Sequence, residues 1–362
     1  MSENPLVIEI VISSIITFII NVYATYKWID VAKLIGFLAE DRNKPGYPKA
    51  VVSGGTWTLI TISMGLLVLE IIRLYLHGQE FYLASILALS FVAALSTLLG
   101  FIDDLLSYLP GRRAKNCNDE GVGKGLSAKT RILLMLPISM PLVAIKAGYT
   151  KLDLIRRVID LGIYYPLVVV PIGVMAAAMA FNMLAGYNGL EAGMGVILLL
   201  GALGVGLIKG NPLLIAGAVV GIAGILAFLV FNWYPAKAFP GNSFTYGVGA
   251  YYAGLVVLGN FEKYAVLSFM LYYMELFFYL KSLWHRVKKV NFAYPCPDGS
   301  LTLDPRNENK IYSVTHLALK ILLRLRGGRT QCPTGVRETH VVLFILGLQA
   351  VISASLFFLL MR

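Results

Sequence analysis

The sequence predicts an all-α, polytopic membrane protein with about ten transmembrane helices, both termini outside, and the loops that could carry chemistry in the cytoplasm. Three observations support this fold class. Hydrophobic residues make up 57% of the 362-residue chain, charged residues only 14%, and mean hydropathy is +0.73. Apolar runs near the roughly 20 residues needed to cross a bilayer recur from one end of the chain to the other. Lys and Arg gather in alternate loops, as they do in cytoplasmic segments of multi-pass proteins.

The spans are expected at 6–26, 51–76, 81–102, 132–147, 163–183, 192–208, 213–233, 247–260, 263–283 and 341–361, with 132–147 and 247–260 the short ones. The first has no basic flank and no small-residue cleavage site, so it reads as a retained helix and not a signal peptide. Loops 29–50, 103–131, 184–191, 234–246 and 284–340 hold 21 of the 31 Lys and Arg, against 7 in the opposite loops and termini. The net charge of +11 therefore falls mainly on one face, where it can meet anionic headgroups or a polyanionic substrate. No basic stripe with interleaved aromatics is present, so nucleic acid is not an expected partner.

Cys117, Cys296 and Cys332 all fall in loops of that face, where a reducing compartment would keep them as thiols. Their spacing matches no zinc pattern. No internal repeat is visible, and residues 1–362 read as a single integral-membrane domain. Segment 284–340 is an extended cytoplasmic loop. Within it 311–325 has apolar residues at helical spacing and reads as an amphipathic helix on the membrane surface, while 295–309 is turn-rich and reads as a short β-hairpin or loop.

Polar clusters share the cytoplasmic face. Asp103 and Asp104 close the third span, and two acids at a membrane edge need a metal, a proton or a cationic partner. GKGLSAKTR at 123–131 follows, with Lys124, Lys129 and Arg131 suited to phosphate oxygens. FNMLAGYNGLEAG at 181–193 interrupts two spans with Asn182 and Asn188 among glycines, which is tolerated where the backbone is buried or lines a wet cavity. FNWYPAKAFPGNSFTYG at 231–247 carries Phe239 and Asn242. Each has a purely structural alternative: a topology-setting cap, positive-inside charge, an interhelical hydrogen bond, or interfacial packing. Glu275 fits a hydrogen bond to a tyrosine or a neighbouring helix, and Glu70 and Arg73 have the spacing of a same-face pair. Together the clusters describe a hard-metal phosphate site for Mg²⁺, which prefers oxygen ligands and leans on substrate phosphates.

With these motifs the chain resembles the polyprenyl-phosphate N-acetylhexosamine-1-phosphate transferase family, and within it the dolichyl-phosphate branch of archaea and eukaryotes. The quoted marks are DRNKPGYPK at 41–49, GFIDDLL at 100–106, NMLAGYNGLEAG at 182–193 and FNWYPAKAFPGN at 231–242, while GLSAK at 125–129 is similar to bacterial members. The resemblance implies transfer of N-acetylglucosamine-1-phosphate from UDP-GlcNAc to a polyprenyl (dolichyl) phosphate with release of UMP, the first step of N-glycan assembly. It implies catalytic roles for Asp103, Asp104 and Lys129, substrate binding by Asp41, Lys44, Gly186, Asn188 and Phe239, and Mg²⁺ ligation by Asn182 and Asn242. Partners would be a UDP-N-acetylhexosamine, the lipid phosphate and the bilayer, with a homodimer left open. Alternatives are the same chemistry with another UDP-N-acetylhexosamine or undecaprenyl phosphate, or a silent scaffold or lipid-sugar transporter. The expected location is the cell membrane with the site facing the cytoplasm, the endoplasmic reticulum being the alternative. Three positions depart from the family pattern: Asn242 where a metal-binding aspartate is usual, Asp298-Gly299-Ser300 after Pro-Cys-Pro, and Val52 about where a glutamate is expected.

Overall fold

A computed structural model describes residues 5–108, 125–148, 150–154, 157–286, 293–303, 311–328 and 330–360. Lys124, Cys117 and the DPRNEN stretch lie outside the described residues. Helix α1 (Pro5–Leu34) leads into an antiparallel ribbon, β1 (Leu38–Glu40) with β2 (Lys49–Val51), in the register Leu38↔Val51 and Glu40↔Lys49. Helices α2 (Thr56–His77) and α3 (Leu83–Tyr108) follow. Next come α4 (Ala128–Met135), a 3₁₀ turn (Leu136–Ser139), α5 (Met140–Ala144) and a hairpin of β3 (Lys151–Leu154) and β4 (Arg157–Asp160). A π turn (Tyr165–Val169) opens α6 (Val170–Met183), followed by α7 (Leu190–Lys209), α8 (Pro212–Asn232) and α9 (Gly241–Gly259). The chain closes with α10 (Glu262–Ser268), α11 (Met270–Trp284), β5 (Tyr294–Pro295) paired with β6 (Leu301–Thr302), α12 (Val314–Leu325) and α13 (Glu338–Leu360).

Among the described residues seven helices are long and apolar enough to cross a membrane, or eight when α10 and α11, bent by 49°, count as one span. The protein is thus a multi-pass, mainly helical membrane protein. Helix occurs at each of the ten expected stretches, but three differ in kind from an ordinary span, 263–283 being the bent pair α10 and α11. At 132–147 the run is broken, because Pro137 and Pro141 each lack the N–H that a continuous helix requires. At 247–260 the helix is α9, in which 16 of 19 residues are buried. A helix enclosed by protein on all sides has no lipid-facing stripe to fill, so it tolerates glycine, serine and tyrosine. Small residues let its neighbours approach: a Cβ at Gly249 would lie 2.6 Å from the carbonyl oxygen of Ala177 in α6.

Side-chain pairing corrects several sequence expectations. Glu70 does not pair with Arg73; its two oxygens accept the main-chain N–H groups of Phe81 (2.9 Å) and Tyr82 (3.0 Å) at the entry to α3. Arg73 instead meets Glu9 at 3.2 Å, and the same carboxylate lies 2.7 Å from His77. Glu275 accepts the N–H of Val314, the first residue of α12, at 2.7 Å. The buried face of α12 (Val314, Ala318, Leu319, Leu323) packs within the protein core. Cys296 and Cys332, expected as thiols, are joined in a disulfide. The β5–β6 hairpin, with Cys296 N–H donating to Ser300 (2.7 Å) and Leu301 N–H to Val336 (2.7 Å), brings the two cysteine-bearing segments together.

Candidate active site

Helix α3 extends to Tyr108, nearly two turns beyond the expected end of the third span, so Asp103 and Asp104 lie inside it and both are buried. Opposite them α9 begins at Gly241, after Pro240. The first N–H groups of a helix have no partner within it, and they carry partial positive charge. The Asp104 carboxylate supplies that partner, accepting the N–H of Asn242 (3.0 Å) and of Ser243 (3.3 Å) and the hydroxyl of Ser53. Gly241 has φ +75°, and a Cβ there would collide with the Asp104 oxygen, so only glycine allows this approach.

Asp103 is held differently. One oxygen accepts the Leu126 N–H at 2.6 Å; the other accepts the Asn242 amide N–H (3.0 Å) and the Tyr246 hydroxyl (3.1 Å). The Arg131 guanidinium lies 3.7 Å from that second oxygen and donates to Tyr246 at 3.2 Å. Ser127 caps α4 by accepting the Thr130 N–H at 3.1 Å, and Gly125 lies so close to Asp103 that a side chain would strike the carboxylate. Lys129, on the exposed side of the same turn, makes no hydrogen bond or ion pair with the described residues and does not line the cavity below; Arg131 is the cation at the carboxylates.

Beside the pair is a cavity of about 270 Å³, and Asp41, Asp104, Asn182, Gly186, Asn188, Phe239 and Asn242 are in its wall. Four chain segments distant in sequence thus converge. Asn182 Oδ1 accepts the Thr245 hydroxyl at 2.9 Å. Phe239 is held by main-chain bonds to β2 and the following loop, its N–H donating to Val51 (2.7 Å) and its carbonyl accepting from Gly54 (2.8 Å). The 184–189 loop is fastened at several points: Gly186 N–H to Glu191 (2.9 Å), Asn43 to the Gly186 carbonyl (3.0 Å), and Gly189 N–H to Asn232 (3.1 Å). Burial pushes the Tyr187 phenol far above its usual range, with the Glu338 charge adding to the effect.

Asp41 and Lys44 form an ion pair, and Lys44 reaches Glu338 at 3.2 Å and the Tyr234 ring at 4.7 Å. Asn188 joins them through its main-chain N–H to Glu338 (2.7 Å) and its side-chain amide to Asp41 (3.0 Å). Lys44 is therefore committed to two buried carboxylates and is not in the cavity wall. Sequence reasoning missed Glu338; its only signal was an acid opening the last apolar run. Tyr246 and Ser53 were also missed, because nothing local marks a hydroxyl that a distant carboxylate will use. Val52 contributes an apolar patch to the wall. Asp298-Gly299-Ser300 is a turn in which Ser300 Oγ donates to Asp298 at 2.7 Å and accepts the Thr334 N–H at 3.1 Å, and it is not in the wall.

Among the described residues no group of three or more His, Cys, Asp or Glu could hold a metal. The donors that are present are oxygens: the Asn182 amide, the Asn242 amide whose nitrogen is turned to Asp103, and the carboxylate pair. This set fits a hard cation that keeps waters and shares substrate phosphates, and it does not fit zinc.

The glycosyl transferase family 4 model matches residues 86–260. A protein of Sulfolobus acidocaldarius is 30% identical over 345 residues, covering 94% of this chain and 93% of that one. One of Saccharolobus solfataricus is 29% identical over 353 residues, 95% of each chain. Both are provisionally named UDP-N-acetylglucosamine–dolichyl-phosphate N-acetylglucosaminephosphotransferase. The Schizosaccharomyces pombe protein of that name is 27% identical over 240 residues, 54% of this chain and 52% of its own. The matched region runs from the carboxylate pair through the interrupted loop to Asn242, and with similarity along nearly the whole archaeal proteins it makes this chain a member of glycosyl transferase family 4.

Proposed function

We propose that the protein transfers N-acetylglucosamine-1-phosphate from UDP-GlcNAc to a dolichyl-type polyprenyl phosphate, the first step of lipid-linked oligosaccharide assembly. The observation that carries this reading is the convergence of Asp104, Asn182, Gly186, Asn188, Phe239 and Asn242 on one cavity beside Asp103 and Arg131. The names of the archaeal and fission-yeast relatives support the donor and acceptor.

In this reaction an oxygen of the lipid phosphate attacks the β-phosphorus of the nucleotide sugar. A new P–O bond forms, the bond to the α-phosphate oxygen breaks, and UMP departs. Such a displacement needs alignment and charge stabilisation more than covalent help from the protein. Asp103, fixed by four partners, orients the acceptor phosphate or takes its proton. Arg131 offsets phosphate charge. Asp104 acts by holding the first turn of α9, and with it Asn242, in place. Gly186, Asn188 and Phe239 line the uridine pocket, Phe239 by stacking on the base. Lys129, exposed on the same turn as Arg131, draws in phosphate. Asn182 and Asn242 would hold Mg²⁺, which when bound neutralises pyrophosphate charge and stabilises the leaving group.

On this reading the chain is one integral-membrane domain of ten spans, including the broken 128–144 segment and the enclosed α9. The Lys and Arg distribution supports a cytoplasmic site in the cell membrane, and the Cys296–Cys332 disulfide on the same face is the observation that runs against a reducing compartment. The test is Mg²⁺-dependent UMP release by purified protein given dolichyl or undecaprenyl phosphate and a panel of UDP-N-acetylhexosamines. Release requiring both lipid and metal, with UDP-GlcNAc and dolichyl phosphate preferred, supports the reading; a folded protein inactive with every pair removes it.

A further inference from the structure

The side chain of Asn188 is locked in one of its two amide orientations. Asn188 is 5% exposed and lies in the cavity wall. Its Nδ2 is 3.0 Å from Asp41 Oδ2, and Asp41 is ion-paired to Lys44, so that carboxylate can only accept. The amide nitrogen must therefore face Asp41. The amide oxygen makes no hydrogen bond to any described residue and is left for whatever occupies the cavity. The main chain of Asn188 cannot turn to compensate, because its N–H is held by Glu338 at 2.7 Å.

We infer that Asp41 is a specificity-determining residue: by fixing the Asn188 amide with its oxygen toward the cavity, it selects a pyrimidine whose ring nitrogen carries a proton. The inference rests on the uridine reading of this pocket. Uracil presents a ring N–H between two carbonyls, and this donates to the Asn188 oxygen. Cytosine presents a lone pair at the same ring position, so two acceptors would face each other. Leaving a buried acceptor without a donor costs enough to discriminate about ten- to a hundredfold. Asp41 need not touch the base at all; it acts through the amide it orients.

The test compares equilibrium binding of UMP and CMP, each with Mg²⁺, to the purified full chain by titration calorimetry. The wild type is expected to prefer UMP by about ten- to a hundredfold. In Asp41→Asn the neighbouring amide both donates and accepts, so Asn188 is free to turn, and the UMP-to-CMP ratio should fall by at least about fivefold. Asp41→Ser serves if the asparagine variant does not fold. Glu338→Gln retains an acceptor for the Asn188 N–H and should weaken both nucleotides together with the ratio unchanged. The inference is overturned if Asp41→Asn keeps the wild-type ratio, if Glu338→Gln shifts the ratio as much, or if the wild type binds both nucleotides equally. A wild type that binds neither nucleotide overturns the uridine reading and this inference with it.

Discussion

Replacing Asp104 by asparagine would keep the shape of the side chain while removing the charge that faces the first turn of α9. In the native protein this carboxylate accepts from Asn242 N–H at 3.0 Å, Ser243 N–H at 3.3 Å and the Ser53 hydroxyl. An asparagine oxygen can keep the Asn242 bond, and Ser53 can reverse its hydroxyl to accept from the new amide nitrogen. The Ser243 N–H then has no acceptor. Losing a negative charge at a helix N-terminus costs about 0.3–2 kcal/mol, and an orphaned buried donor about 1–3 kcal/mol. Together the substitution should destabilise the protein by about 1–5 kcal/mol. The measurement is a denaturant midpoint in a fixed detergent, followed by fluorescence, with UMP release measured at a temperature where the variant remains folded. Under those conditions the variant should retain part of its turnover, because Asp103 still meets the Asn242 side chain. A variant with wild-type stability and no turnover would refute the anchoring role and return Asp104 to the chemistry.

Asp103→Asn turns an amide nitrogen toward either the Leu126 N–H or the Asn242 amide, so it should lose about 1–3 kcal/mol of stability and, assayed where it remains folded, about 10²- to 10⁴-fold in kcat; full activity would remove this aspartate from the mechanism. Arg131→Ala should cost far more activity than Lys129→Ala, because only the arginine reaches Asp103 and Tyr246; equal losses in parallel assays would contradict this division. Mg²⁺ affinity should be weak without nucleotide, since the amide of Asn242 contributes no charge. Tight Mg²⁺ binding to the nucleotide-free protein by calorimetry would show that the ion does not depend on the pyrophosphate.

The helical framework was legible in the sequence because lipid demands long apolar runs, and such runs are visible without knowing their neighbours. The two shortest expected spans, 132–147 and 247–260, both departed from simple spans, as did 263–283, which bends by 49° between α10 and α11. Pro137 and Pro141 announced the first break locally. The enclosure of α9 was not local: its glycines and tyrosines make sense only once α3, α6 and α8 surround it. The site was legible to the extent that its polar groups stand out from apolar surroundings, so Asp104, Asn182, Asn188 and Asn242 meet at one cavity. Lys129 and Arg131 are two residues apart with the same charge, and only the helical turn decides which reaches the carboxylates. The Cys296–Cys332 bond was hidden for a similar reason: pairing depends on the hairpin that folds 294–302 toward 336.

Glu338 stands at the head of α13, yet it bonds to Lys44 from the first loop and to Asn188 from the middle of the chain. The pocket is thus a keystone arch in time as well as in space. A nascent chain that has threaded every earlier helix into the bilayer still leaves the Asn188 N–H and one side of Lys44 without their acceptor. The 184–189 loop receives this brace only after translation has passed the first turn of α13, so a chain without α13 leaves the Asn188 N–H and Lys44 short of a partner.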